Sequence, residues 1–154
     1  MITGAEMVDE FTRNTGLLKR NLEGFTIEKS LIRMSGGGNS LNWVLGHLLK
    51  SRLDLLSLLG GERHDLEERL EPYRRVREGG YRDEELMTLD ELVSHWDRID
   101  ERLHQALPGA EMTGEGGEFG TLGNAVLFYN FHEAYHLGQA GILRRAVGLE
   151  GQIR

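Results

Sequence analysis

Residues 39–59, NSLNWVLGHLLKSRLDLLSLL, decide the architecture. Leu41, Val44, Leu45, Leu48, Leu49, Leu55, Leu56, Leu58 and Leu59 recur at helical spacing, yet they cover more than one side of the helix they predict. A helix with one wet face needs only a single apolar stripe, so this one is expected to touch several neighbours at once. Asn39 or Ser40 can cap its start, and Gly60-Gly61 stops it after Leu59. One histidine, His47, sits in this greasy run amid Trp43, Val44, Leu45, Leu48 and Leu49, with Gly46 removing bulk beside it.

Amphipathic segments lie on both sides. Thr3-Gly4-Ala5-Glu6 has the capping-box pattern, and Met7, Val8, Phe11, Leu17, Leu18 and Leu22 form the buried stripe of a first helix running to about Gly24. Thr88-Leu89-Asp90-Glu91 repeats the box for a third helix, carried by Leu92, Val93, Trp96, Ile99, Leu103 and Leu107 until Pro108-Gly109. Thr121 caps a fourth helix reaching about Val147, with Gly148 beyond it. Residues 25–38 read as a loop ending in Ser35-Gly36-Gly37-Gly38. Residues 61–87 read as a charged crossover, broken by Pro72 and Gly79-Gly80, with room for a short surface helix over Glu62 to Leu70. The glycine-rich residues 109–120 read as a flexible connection. Four helices of about 20 residues with no strand pair predict an all-α chain, an antiparallel four-helix bundle forming a single domain over residues 1–154.

Composition narrows the chemistry. Lysine plus arginine total 18 against 25 aspartate plus glutamate, a net charge of −7, which repels phosphate backbones and argues against nucleic acid. No long apolar run lacks polar punctuation, and the opening MITGAEMVDE is acidic where a signal peptide would be basic and then apolar; the expectation is a cytoplasmic protein with no membrane segment. With no cysteine there is no disulfide, no thiolate metal site and no protein-borne thiol nucleophile. Histidine and carboxylate chemistry, or a borrowed cofactor, is what remains.

The fourth helix carries His132-Glu133-Ala134-Tyr135-His136, two imidazoles one turn apart on one face and able to share a metal ion. The letters match the zinc-protease pattern, but such a protease needs a sheet and usually a third ligand downstream. Only 18 residues follow His136, with no histidine and one carboxylate, Glu150. A third ligand is available upstream in His47, since bundles place metal sites between facing helices; a lone histidine on an apolar face also reads as a core residue bonded to a backbone carbonyl or a carboxylate. Glu133 lies about 100° around the helix from His132, where it could orient an imidazole or take a proton from bound water; otherwise it is a surface carboxylate. Gln139, three residues after His136, suits an amide supporting the site or contacting substrate.

Asn39-Ser40-Leu41-Asn42-Trp43-Val44-Leu45-Gly46-His47 together with His132-Glu133-Ala134-Tyr135-His136-Leu137-Gly138-Gln139 resembles the DinB superfamily of metal-dependent four-helix bundles, over nearly the whole chain. The resemblance implies an up, down, down, up bundle with its long connection between the second and third helices, often dimeric. It also implies a zinc, nickel or similar divalent ion on His47, His132 and His136. Some members of that superfamily are S-transferases using bacillithiol or mycothiol, so the implied function is a low-molecular-weight-thiol-dependent S-transferase acting on a small-molecule substrate. A metal-dependent hydrolase using bound hydroxide with Glu133 as proton acceptor, or a non-catalytic binding or stress-related module, are the other readings.

The remaining residues of interest read more simply. Trp43 could roof the pocket or pack in the core, and Phe128, Phe131 and Tyr135 could wall a substrate cavity but fit core positions better. His64, His95 and His104 read as solvated, and Arg74-Arg75-Val76-Arg77 as a solvated connection able to meet an anionic thiol. The breadth of apolar surface on the second helix is compatible with a homodimer.

Overall fold

The computed structural model describes residues 2–34, 38–61, 66–74 and 81–152. They form five α-helices: α1 (Gly4–Leu22), α2 (Ile27–Leu31), α3 (Leu41–Leu58), α4 (Leu89–Ala106) and α5 (Leu122–Ala146). Among the described residues β-type pairing is confined to one isolated antiparallel bridge, Glu115 with Thr121, so the chain is all-α. No helix of the described residues is long and apolar enough to cross a membrane.

The long helices begin at the expected caps. Thr3 and Thr88 each accept a backbone N–H three residues on while Glu6 and Glu91 reach back, completing both capping boxes. Ser40 caps α3 through the Trp43 amide, and Thr121 caps α5 through the Asn124 amide. Hydrogen bonding by the Arg69 guanidinium at 2.8 Å, then by the Thr88 amide and hydroxyl, holds the Glu91 carboxyl down from 4.5 to about 2.

Three connections differ from expectation. The segment read as a loop after α1 contains α2, because Thr26 caps it by accepting from the Lys29 amide at 3.2 Å. The candidate surface helix over Glu62 to Leu70 is a set of turns where it is described, residues 66–70, and Leu66 and Leu70 are buried in the core; residues 62–65 lie outside the described residues. The glycine-rich connection before α5 is tied down by backbone bonds from Leu122 to Gly114 and from Gly123 to Met112, both 2.8 Å. At Gly116 a Cβ would stand 2.1 Å from the Thr121 carbonyl oxygen, a close approach that only glycine permits.

α3 is the central element, with 14 of its 18 residues buried and packing against α2, α4 and α5. Its broad apolar surface is therefore used inside the chain and gives no ground for a dimer. α1 packs against α5 and α4 through an ordered series of polar contacts. Along α4 these are Thr12 with His104 (3.0 Å), Thr15 with Asp100 (2.8 Å) and Lys19 with Asp97 (2.8 Å). Along α5, Asn14 reaches Glu133 (3.2 Å) and Asn21 reaches the Leu137 carbonyl (3.4 Å). Buried Arg144 donates to the Asn21 carbonyl (3.1 Å) and to those of Glu23 and Glu150, where a cation meets the carboxyl end of α1. Between α3 and the start of α4, the Asn42 amide donates to the Met87 carbonyl (2.8 Å).

Candidate metal centre

α3 and α5 bring His47, His132 and His136 together. The Nε2 atoms of His47 and His132 are 3.2 Å apart and those of His136 and His132 3.1 Å apart, with one ligand atom of each ring within 4.8 Å of the others. Imidazole nitrogens about 2.0 to 2.1 Å from one ion stand about 2.9 Å apart at octahedral angles and about 3.4 Å apart at tetrahedral angles. Both spacings to His132 fall between those limits and the third lies within 4.8 Å, so the donor set fits a divalent cation.

The outer edges of two of the rings are held in the sense such a site needs. His47 Nδ1 lies 2.8 Å from the Tyr73 carbonyl oxygen and His136 Nδ1 lies 2.7 Å from Gln139 Oε1. Each oxygen accepts a hydrogen bond from Nδ1–H, which leaves the Nε2 lone pair directed inward. Gln139 is itself oriented, its Nε2 donating to the Tyr135 hydroxyl at 3.1 Å. Trp43 stacks on His47 with centroids 4.7 Å apart and planes 9° from parallel, and Phe128 stacks on His132 at 5.9 Å. Trp43 thus packs in the core and covers the His47 ring at once, its indole N–H satisfied by the Pro72 carbonyl at 3.2 Å.

Tyr73 is one of two residues that the sequence reading missed. Its ring is fully buried against Gly46, where a Cβ would come within 2.1 Å of the ring, so the missing bulk at Gly46 admits Tyr73 rather than a ligand. The Tyr73 hydroxyl accepts from the Met87 amide (2.7 Å) and donates to Asn42 Oδ1 (3.2 Å), anchoring the segment whose carbonyl orients His47. Burial pushes that hydroxyl's pKa far up and keeps it neutral. The only sequence hint is an aromatic residue after Pro72 in an otherwise charged connection.

Glu133 points elsewhere. Its carboxylate is buried and receives Arg52 Nε (2.6 Å) and Nη2 (3.1 Å) as well as the Asn14 amide (3.2 Å), and it is not part of the converging group. The carboxylate expected at the surface or beside the imidazoles is instead one half of an ion pair in the core. Its partner, also missed from sequence, was visible as one arginine amid the leucines of residues 48–56.

Phe128, Phe131 and Tyr135, expected mainly in the core, are 43, 68 and 57% exposed, because they occupy the outward side of α5. His104 contacts Thr12 and Asp100, and His95 contacts Arg98, both away from the centre. Arg74 pairs with Glu71 at 2.7 Å; Arg75, Val76, Arg77 and His64 lie outside the described residues. One turn from His47 and His136, a cavity of about 330 Å³ is lined by Met34, Asn39, Val44, Gln139, Ile142 and Leu143.

A comparison with curated proteins returns no match. A comparison with known families matches residues 10–140 to the DinB superfamily, a span that includes His47, His132, His136 and Gln139 and reaches from α1 into α5. With most of its length matched, this chain belongs to the DinB superfamily.

Proposed function

We propose that this chain is a single-domain, cytoplasmic protein that binds one divalent ion, zinc or nickel, through His47, His132 and His136 and works as a thiol-dependent S-transferase. The observation that carries the reading is the convergence of one ring nitrogen from each of three imidazoles within 4.8 Å, two of the rings being turned inward by oxygen acceptors on Nδ1. Three neutral imidazoles do not cancel the charge of a dication, and no carboxylate joins them among the described residues, which is the donor set of an open site. A divalent ion held there supplies Lewis acidity, which lowers the pKa of a thiol that reaches it.

This chain contributes no thiol of its own, so the nucleophile comes from a low-molecular-weight thiol of the bacillithiol or mycothiol type. Its sulfur bonds to an electrophilic carbon, the leaving group departs with its electron pair, and the thiol proton passes to solvent. Gln139 serves both neighbouring regions, orienting His136 and lining the cavity in which Met34, Val44, Ile142 and Leu143 receive the apolar part of a small electrophile. The hydrolytic alternative required Glu133 as proton acceptor, and the engagement of that carboxylate by Arg52 and Asn14 favours the transferase instead.

We also read the four long helices as an up, down, down, up bundle. Support comes from contact order: it is reversed between α1 and α4, and the same between α1 and α5, while Asn42 to Met87 and Arg52 to Asp100 run the same way. Parallel α3 and α4 need a long crossover, which residues 59–88 provide. A homodimer would use the outer side of α5, where Leu127, Phe131, Tyr135 and Ile142 are exposed.

The deciding experiment is metal analysis of protein purified without an affinity tag, alongside His47→Ala and His136→Ala variants, followed by assay of the loaded protein against panels of thiols and electrophiles. Stoichiometric metal in the wild type, its loss in both variants, and consumption of electrophile that requires thiol support the proposal. Retention of metal by both variants overturns the site. Thiol-independent hydrolysis, or ligand-induced stabilisation without turnover, overturns the transferase.

A further inference from the structure

We infer that the buried Arg52–Glu133 pair is the positioning device of the histidine centre, fixing the rotation of α3 and α5 about their own axes so that His47 meets His132 and His136. This inference rests on the metal-binding reading and adds to it the residues that hold the two ligand-bearing helices in register.

The pair joins the same two helices as the centre. Arg52 is five residues beyond His47 on α3, and Glu133 is adjacent to His132 on α5. Nε and Nη2 of one guanidinium meet the two oxygens of one carboxylate at 2.6 and 3.1 Å, a fork that constrains orientation as well as distance. The guanidinium is in turn held from the other two long helices. Nη2 donates to Thr15 Oγ1 of α1 (3.1 Å), Nη1 donates to Asp100 of α4 (2.5 Å), and the Trp96 ring of α4 lies 3.9 Å from its centre. Thr15 completes the arrangement by donating to Asp100 (2.8 Å) and accepting from the Trp96 indole (3.3 Å). One side chain on α3 thereby touches all three of the other long helices.

Stability alone does not account for such a group. Burying an ion pair in a core is often no better than filling the space with apolar side chains, whereas hydrophobic contact between helices is non-directional and tolerates roll. A metal site does not tolerate it. With side-chain ends about 5 to 6 Å from the helix axis, a roll of about 10° carries an imidazole nitrogen about 1 Å, against a ligand-distance tolerance of about 0.2 Å. Among the described residues, the directional contacts between α3 and α5 are those of the histidines themselves and this pair.

The test replaces both charges with apolar groups of similar reach, Arg52→Met with Glu133→Leu, and compares the variant with wild type in two measurements: urea unfolding of the metal-free protein, and titration with Co²⁺ followed by its visible ligand-field bands. The expected result is a folded variant whose unfolding midpoint stays within about 1 M urea of wild type, since Asp100 keeps Thr15 and His104 as partners, but whose Co²⁺ affinity falls at least about tenfold, with altered bands. Arg52→Lys, which keeps the charge and loses the fork, should weaken Co²⁺ binding in the same direction. Wild-type affinity and spectrum in a folded double variant overturn the inference while leaving the metal site intact. Absence of Co²⁺ binding in the wild type overturns both. Should the double variant not fold, Glu133→Gln, which keeps the shape and loses the ion pair, decides by the same two measurements.

Discussion

Replacing Gly46 with alanine tests the link between packing and the proposed metal centre. The added Cβ would stand 2.1 and 2.2 Å from two carbons of the Tyr73 ring, against a comfortable separation of about 3.5 Å. The ring would have to retreat by about 1.4 Å, and it is fully buried with its hydroxyl held between the Met87 amide and Asn42. Overpacking of this kind costs about 1 to 3 kcal/mol, and the alanine returns about 1 kcal/mol in helix propensity. The net loss, about 0 to 2 kcal/mol, corresponds to a fall of up to about 1 M in the urea midpoint. Displacing Tyr73 also moves the carbonyl that orients His47, so metal affinity should fall by about 10- to 100-fold. Urea unfolding of the metal-free protein and a competitive metal titration measure the two effects separately. A variant with an unchanged or raised midpoint and wild-type affinity would refute the reasoning, because it would mean that neither the space at Gly46 nor the position of Tyr73 matters.

Other outcomes follow from the same geometry. Tyr73→Phe leaves the buried Met87 amide without its acceptor and should lose about 1 to 3 kcal/mol in urea unfolding; it removes the anchor of the carbonyl on His47 but leaves the ring seated against Gly46, so metal affinity should fall less than in Gly46→Ala, and an equal or larger loss would contradict the role given to ring packing. The folded-state pKa of Glu91, about 2, lies below its ordinary 4.5, so its contribution to stability is complete above about pH 5 and disappears as the pH falls towards 2. The stability difference between wild type and Glu91→Gln, measured by denaturant titration at several pH values, should shrink over that window, and a difference independent of pH would contradict the capping and Arg69 contacts. If the outer side of α5 forms a homodimer, Phe131→Asp should sediment as a monomer where the wild type sediments as a dimer, with its helical circular dichroism unchanged.

Much of this protein is determined by local pattern. Thr3, Ser40, Thr88 and Thr121 mark helix starts because a hydroxyl three residues before an orphan amide is a local geometric fact. The all-round apolar surface of residues 41–59 announces a central helix, since no other placement covers it. The spacing of His132 and His136 puts both on one face, and Gln139 follows His136 closely enough to reach it. Thr26 could have been read as a cap by the same rule, and its short helix was missed because five residues carry little periodicity.

Tertiary structure decided which distant groups meet. Helical periodicity places Glu133 on a face but does not say what α5 presents that face to; only the packing of α1, α3 and α4 around it turned a candidate base into the partner of Arg52. The same holds for Tyr73, whose role depends on the path of a connection with no regular repeat, and for Phe131, whose exposure depends on which side of α5 the other helices cover. Spacing within one helix is set by covalent geometry and reads directly from residue order, whereas the angle at which two helices face each other is set by the shapes of many side chains at once.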